Sequence, residues 1–82
     1  MNVTILYFAA VRELVGKDEE RVALPEGVAT IGALAEHLPL LHPALGERLA
    51  SVRFARNEEF AQHGDPIAEG DVIALIPPVA GG

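Results

Sequence analysis

The chain contains no cysteine. That excludes disulfide bridges, thiolate metal sites and covalent catalysis by a side-chain thiol. Basic residues are scarce, with six Lys and Arg against twelve Asp and Glu and a formal net charge of −6. Nucleic-acid binding carries a basic footprint, so no nucleic-acid partner is expected. An acidic surface suits a soluble carrier whose partners present basic clefts. No apolar run approaches the length of a membrane span, so no membrane partner is expected. The apolar start, Val3 to Val11, has no basic leader and no cleavage pattern after it, and is not expected to be a signal peptide. A cytoplasmic location is the expectation.

Side-chain chemistry is equally sparse. There is no GxGxxG and no GxxxxGK loop, since Gly16-Lys17 lacks the upstream glycine. His37, His42 and His63 share no zinc-ligand spacing, so no metal is expected. Ser51 has no evident base, and Glu58 and Glu59 read as solvated turn carboxylates. Arg12 and Arg56 read as surface arginines available to a partner carboxylate.

At 82 residues the chain is long enough for one small domain. Half of it is apolar, which permits a real but thin core. Val3 to Phe8 is β-branched and aromatic, a first strand. Both of its alternating sets, Val3/Ile5/Tyr7 and Leu6/Phe8, are largely apolar. One face therefore belongs to the core, and the other is covered or exposed for a partner. Ala9 to Val15 favours a helical turn stopped by Gly16. Glu19 to Leu24 is a second strand ending at Pro25-Glu26-Gly27. Thr30 is a candidate N-cap. Ile31, Leu34, Ala35 and Leu38 then line one helical face, with the helix expected over Thr30 to Leu38 and ended by Pro39. His42 to Leu49 is a further short helical turn with Pro43 at its first position. Ser51 to Arg56 alternates as a half-buried strand with Val52 and Phe54 inward. Asn57-Glu58-Glu59 turns the chain, Phe60-Ala61 pairs briefly, and Ile67 anchors the next loop on the core. Val72 to Ile76 is an almost unbroken apolar strand, which predicts a central position. This element set implies an α+β fold, a mixed sheet with one main helix packed on one face.

The last residues are unusual. Pro77 and Pro78 end the strand and favour an extended exit. Gly81 and Gly82 have no Cβ and can lie in a channel too narrow for other residues. The expected division is a domain over 1–76 and a flexible tail over 77–82. With side-chain chemistry sparse, the reactive group is the main-chain carboxylate of Gly82. A carboxylate is a poor electrophile until it becomes an acyl adenylate. An amine acceptor then makes the chain a conjugated modifier, and a sulfur donor makes it a thiocarboxylate carrier.

Two blocks carry a family resemblance, Phe8 to Gly16 (FAAVRELVG) and Glu69 to Gly82 (EGDVIALIPPVAGG). Together they resemble the small subunit of molybdopterin synthase, a ubiquitin-like sulfur carrier, over nearly the whole chain. The resemblance implies a β-grasp fold. It implies that a partner activating enzyme uses ATP to adenylate Gly82, and that this chain itself binds no cofactor. Gly82 becomes a thiocarboxylate, and the tail, Gly81-Gly82 leading with Ala80 and Val79 behind, inserts into the large catalytic subunit. There the sulfur passes to a pyranopterin precursor to form the dithiolene of molybdopterin. Phe8, Phe60 and Ile76 match apolar positions that contact the partners, and Arg12 belongs with this interface. The chain itself is then a sulfur-donating subunit, with the catalytic residues on its partner. Two positions depart from the pattern: Arg56 precedes the hairpin Asn57, and Leu75-Ile76 stands where an aromatic pair is common. A protein modifier joined through Gly82, a plain interaction domain whose tail is incidental, and a carrier of the thiamin pathway are the alternatives.

Overall fold

The computed structural model describes residues 1–78. The readings for Val79, Ala80, Gly81 and Gly82 lie outside the described residues. Five strands form one sheet: β1 Asn2–Tyr7, β2 Glu19–Ala23, β3 Arg53–Arg56, β4 Glu59–Ala61 and β5 Val72–Ile76. Their spatial order is β2-β1-β5-β3-β4. β5 pairs parallel with β1 and antiparallel with β3, so the apolar last strand is central, as its composition predicts. The sheet is mixed, and the α+β class with a β-grasp arrangement is the observed fold.

Period-two alternation sorts the two faces. Val3, Ile5 and Tyr7 of β1 and Ile73 and Leu75 of β5 are buried on one face, with Phe54 of β3. Ile31, Leu34 and Leu38 of helix α2 (Ile31–Leu41) close that core and are fully buried. A helix stripe laid on a sheet face is the two-layer answer to these patterns. The Thr30 hydroxyl caps α2 by accepting from the Ala33 N–H at 3.1 Å. Ile67 is buried and ties its loop to the core.

α2 runs three residues past the expected stop at Leu38, with Pro39 inside it. Proline removes one helical donor and disfavours helix in the residue before it. Leu38 is nevertheless locked by burial, and the His42 N–H donates to the Leu38 carbonyl at 2.9 Å, so the last turn closes regardless. A 3₁₀ segment, Pro43–Ser51, follows with Pro43 at its start. Nine residues is long for this helix type, and fully buried Leu45 pins it. It absorbs Ser51, so β3 begins at Arg53 and not at Ser51.

The first helix, α1, spans Ala9–Val15 and ends at Gly16 in the left-handed region, φ 86°. Ala9 has φ 48°, an uncommon value for alanine. The chain thus bends sharply between β1 and α1, and Phe8 at that bend is left exposed.

Candidate functional site

Among the described residues, no helix covers the second face of the sheet. Leu6 of β1, Val72, Ala74 and Ile76 of β5, and Ala55 of β3 all point to it, as the alternation requires. With Phe8 and Phe60 they line an open groove of about 450 Å³. Phe8 is 46% exposed and Phe60 is 61% exposed. Large exposed aromatics clustered on one apolar face mark an interaction surface.

β1 and β5 are parallel, with Tyr7 opposite Leu75, so their C-terminal ends coincide. Phe8 leaves β1, and Ile76-Pro77 leaves β5, at the same end of the sheet. The groove therefore runs from Asn57 and Glu58 at one end to the root of the tail at the other. A smaller hollow of about 180 Å³ lies beside that root, lined by Ala10, Val11 and Leu14 of α1, Arg48, Ser51, Val52, Pro77 and Pro78.

Phe8, Phe60 and Ile76, the apolar residues expected at a partner interface, thus sit together on one face. Arg12 is exposed on α1 and is not among the residues lining the groove. Leu6 was legible as an apolar outward position. Ala55, Val72 and Ala74 were not singled out as site residues, although strict alternation along β3 and β5 marks them. Gly82, Gly81, Ala80 and Val79 lie outside the described residues.

Two polar clusters brace this framework. Asp71 is buried just before β5, and its carboxylate accepts from Arg56 Nε at 2.5 Å, the Ala68 N–H at 2.7 Å and Asn57 Nδ2 at 3.0 Å. The Arg56 bond is the main cause that holds the Asp71 carboxyl down to about 2, and the Ala68 and Asn57 donors add to it against the opposing effect of burial. Arg56 is therefore committed within the chain, where the sequence had left it free for a partner.

Glu20 is the centre of the other cluster. Its Oε1 accepts from the Tyr7 hydroxyl at 2.6 Å and also meets His42 Nε2, and its Oε2 meets Lys17 Nζ at 3.3 Å. Burial pushes the Glu20 carboxyl up, but the bonds from Tyr7, His42 and Lys17 outweigh it and hold the group below its ordinary value. Burial, reinforced by the Glu20 carboxylate, pushes the Tyr7 phenol far up. Tyr7 comes from β1, Glu20 from β2, and His42 from the end of α2, so this cluster ties the sheet edge to the helix.

Neither cluster resembles a catalytic constellation. No His, Cys, Asp and Glu grouping suited to a metal occurs among the described residues, and no helix among them is long and apolar enough to cross a membrane. Among the described residues the site consists of an apolar face with Pro77 and Pro78 beside it.

Comparison with known proteins agrees with this arrangement. The sequence pattern of the ThiS family matches residues 5–82. The molybdopterin synthase sulfur carrier subunit of Chlamydomonas reinhardtii is 37% identical, with 100% of both chains covered. The human protein of the same name is 32% identical, covering 99% of this chain and 94% of its own. Small archaeal modifier protein 1 of Haloferax volcanii is 39% identical, covering 92% of this chain and 94% of its own. Its crystal structure superposes with a TM-score of 0.86 over 100% of both chains, at 34% identity in that alignment.

Proposed function

The chain belongs to the ThiS family, and from that premise we propose that it is the sulfur-carrier subunit of molybdopterin synthase, working through the carboxylate of Gly82. The observation that carries this reading is the open apolar face that reaches the root of the tail, on a chain matched end to end by relatives of that name. A large catalytic subunit docks on Phe8, Phe60 and Ile76, and the tail enters that subunit's active site.

The chemistry proceeds in balanced steps. On an activating enzyme, a Gly82 carboxylate oxygen attacks the α-phosphorus of ATP and expels pyrophosphate. Hydrosulfide from a sulfur donor then attacks the acyl carbon, the carbon–oxygen bond to AMP breaks and AMP leaves, giving the thiocarboxylate and a proton. In the synthase, the thiocarboxylate sulfur bonds to a carbon of the pyranopterin precursor and displaces an oxygen substituent. Water opens the acyl–sulfur bond, leaving sulfur on the product and a carboxylate on Gly82. The ATP is bound by the activating enzyme, and this chain needs no cofactor of its own. Side chains of the described residues supply none of these steps; they hold the docking face and the tail root in fixed relation. The reading places the protein in the cytoplasm.

A second reading is a protein modifier, in which a lysine amine takes the Gly82 acyl group. The Haloferax relative named as a modifier favours it. One experiment separates the two. Intact mass is measured after incubation with activating enzyme, ATP and a sulfur source, followed by addition of the large subunit and precursor. Exchange of one oxygen for sulfur at Gly82, lost again as product forms, is the expected result. Lysine-linked conjugates with no thiocarboxylate would select the modifier. Absence of any mass change, with the activating enzyme competent on another carrier, would overturn both readings.

A further inference from the structure

We propose that Arg48 and Arg53 form a basic collar at the tail root that docks against an acidic rim of the large subunit, around the mouth of the channel that receives the tail. The proposal rests on the carrier reading above and adds the charge of the surface that is met.

The chain is acidic overall, yet its cations are unevenly used. Of six Lys and Arg, Lys17 is paired with Glu20 and Arg56 with Asp71. Among the described residues Arg12, Arg21, Arg48 and Arg53 make no ion pair within the chain. Arg21 lies on β2, at the far edge of the sheet. Arg48 and Arg53 lie where the tail leaves. Arg53 is opposite Ile76 in the β3–β5 register, one residue before Pro77. Arg48 lines the hollow beside Pro77 and Pro78. Among the described residues its sequence neighbour Glu47 makes no ion pair with Arg48.

Arg53 is also held in place. Its guanidinium carbon sits 3.9 Å from the centroid of the exposed Phe60 ring, a cation–π contact that fixes a charge on the rim of the apolar face. This contact makes the collar continuous with the face that receives the large subunit, which selects that subunit as the occupant. Four residues separate Pro78 from the reactive carboxyl and span at most about 14 Å when extended. The collar therefore stays outside the channel and meets protein at its mouth, leaving the phosphate of the precursor to the large subunit's own active site. Rim charges of this kind steer association and set its salt dependence more than they hold the complex.

The test measures association of the full-length chain with the large catalytic subunit, at low and moderate salt, for Arg48→Glu, Arg53→Glu and the control Arg21→Glu. Each collar reversal is expected to slow association roughly three- to tenfold and flatten its salt dependence. Arg21→Glu, which changes net charge equally, is expected to stay within about twofold. Arg48→Lys and Arg53→Lys, which keep the charge, are expected to restore most of the rate. Equal loss in Arg21→Glu would reduce the effect to net charge and overturn the collar. Collar variants that bind as the wild type does, or that slow activation by the activating enzyme alone, would also overturn it. Failure of the wild-type chain to bind the large subunit at all would instead overturn the carrier reading beneath it.

Discussion

Arg56, the last residue of β3, donates from Nε to Oδ2 of Asp71, the residue before β5, at 2.5 Å. The bond ties the end of β3 to the start of β5, at the end of the sheet opposite the tail root. Asn57 seconds it: its Nδ2 donates to Asp71 Oδ1 at 3.0 Å, and its Oδ1 accepts from the Val72 N–H at 2.9 Å. One buried carboxylate thus sets the spacing between the β3–β4 hairpin and the central strand.

Asp71→Ala is expected to leave the Arg56, Asn57 and Ala68 donors without their acceptor and to cost about 2 kcal/mol in urea unfolding. The pH dependence has a definite sign. The folded carboxyl lies at about 2 against an ordinary 3.8, so its contribution is present above pH 3.8 and is lost as pH falls toward 2. Asp71→Asn should flatten that part of the stability curve while leaving its shape above pH 5 unchanged.

This cluster also shows where sequence reading stops. The strands, the Thr30 cap, the Gly16 stop and the central place of Val72 to Ile76 were legible because each follows from local pattern or turn chemistry. The outward aromatics were legible because Leu6 and Phe8 made the wrong face of a strand apolar. Arg56 was read as free because its partner lies 15 residues away, and pairing across the sheet leaves no periodic trace. The same holds for Arg53 on Phe60. Pro39 misled for the opposite reason: a strong local rule was overridden by the burial of Leu38.

The sole tyrosine offers a clean optical test of the other cluster. Tyr7 donates to Glu20, and burial with that carboxylate pushes the phenol up. The neutral phenol is the folded form, so its contribution is present below pH 10 and is lost as pH rises beyond it. Phenolate absorbance is expected to stay absent in the native protein through pH 10.5 and then to rise together with loss of circular dichroism. A free phenol titrating near 10 before unfolding would refute the buried bond. Tyr7→Phe should cost about 1 kcal/mol.

The β3–β4 turn carries removable strain. Asn57 and Glu58 have φ 50° and 72°, both in the left-handed region. Asparagine tolerates this and glutamate does not, whereas Asn-Gly is the favoured pair for such a hairpin turn. Glu58→Gly is therefore expected to raise stability by about 0.5–1 kcal/mol, read as a higher urea midpoint at unchanged slope. Because Glu58 also borders the groove, large-subunit binding measured on the same variant reports whether that carboxylate matters to docking.

Phe8 and Phe60 are exposed, so their removal should separate binding from folding. Phe8→Ala and Phe60→Ala are each expected to weaken affinity for the large subunit at least about tenfold, as central aromatic anchors do. The urea midpoint should move little for Phe8→Ala. Phe60→Ala also removes the ring beneath Arg53, so its loss should exceed that of Arg53→Ala. An Arg53→Ala effect as large as the Phe60→Ala effect would mean that the ring acts only as a platform for the charge.

The tail makes the most demanding prediction. In the carrier mechanism the reactive atom must arrive at one point while Phe8 and Ile76 are seated, so the distance from docking face to carboxyl is part of the catalyst. A residue added after Gly82 moves that carbon by up to about 3.5 Å, far beyond the tolerance of an aligned transfer. Sulfur transfer is expected to be abolished while the urea midpoint and large-subunit affinity stay close to wild type. Gly81→Val tests width instead of length: a branched Cβ in a channel fitted to glycine should slow both activation and transfer. Normal synthesis of molybdopterin by the extended chain would break the link between the docked face and the chain end, and with it the reason for placing the groove beside the tail root.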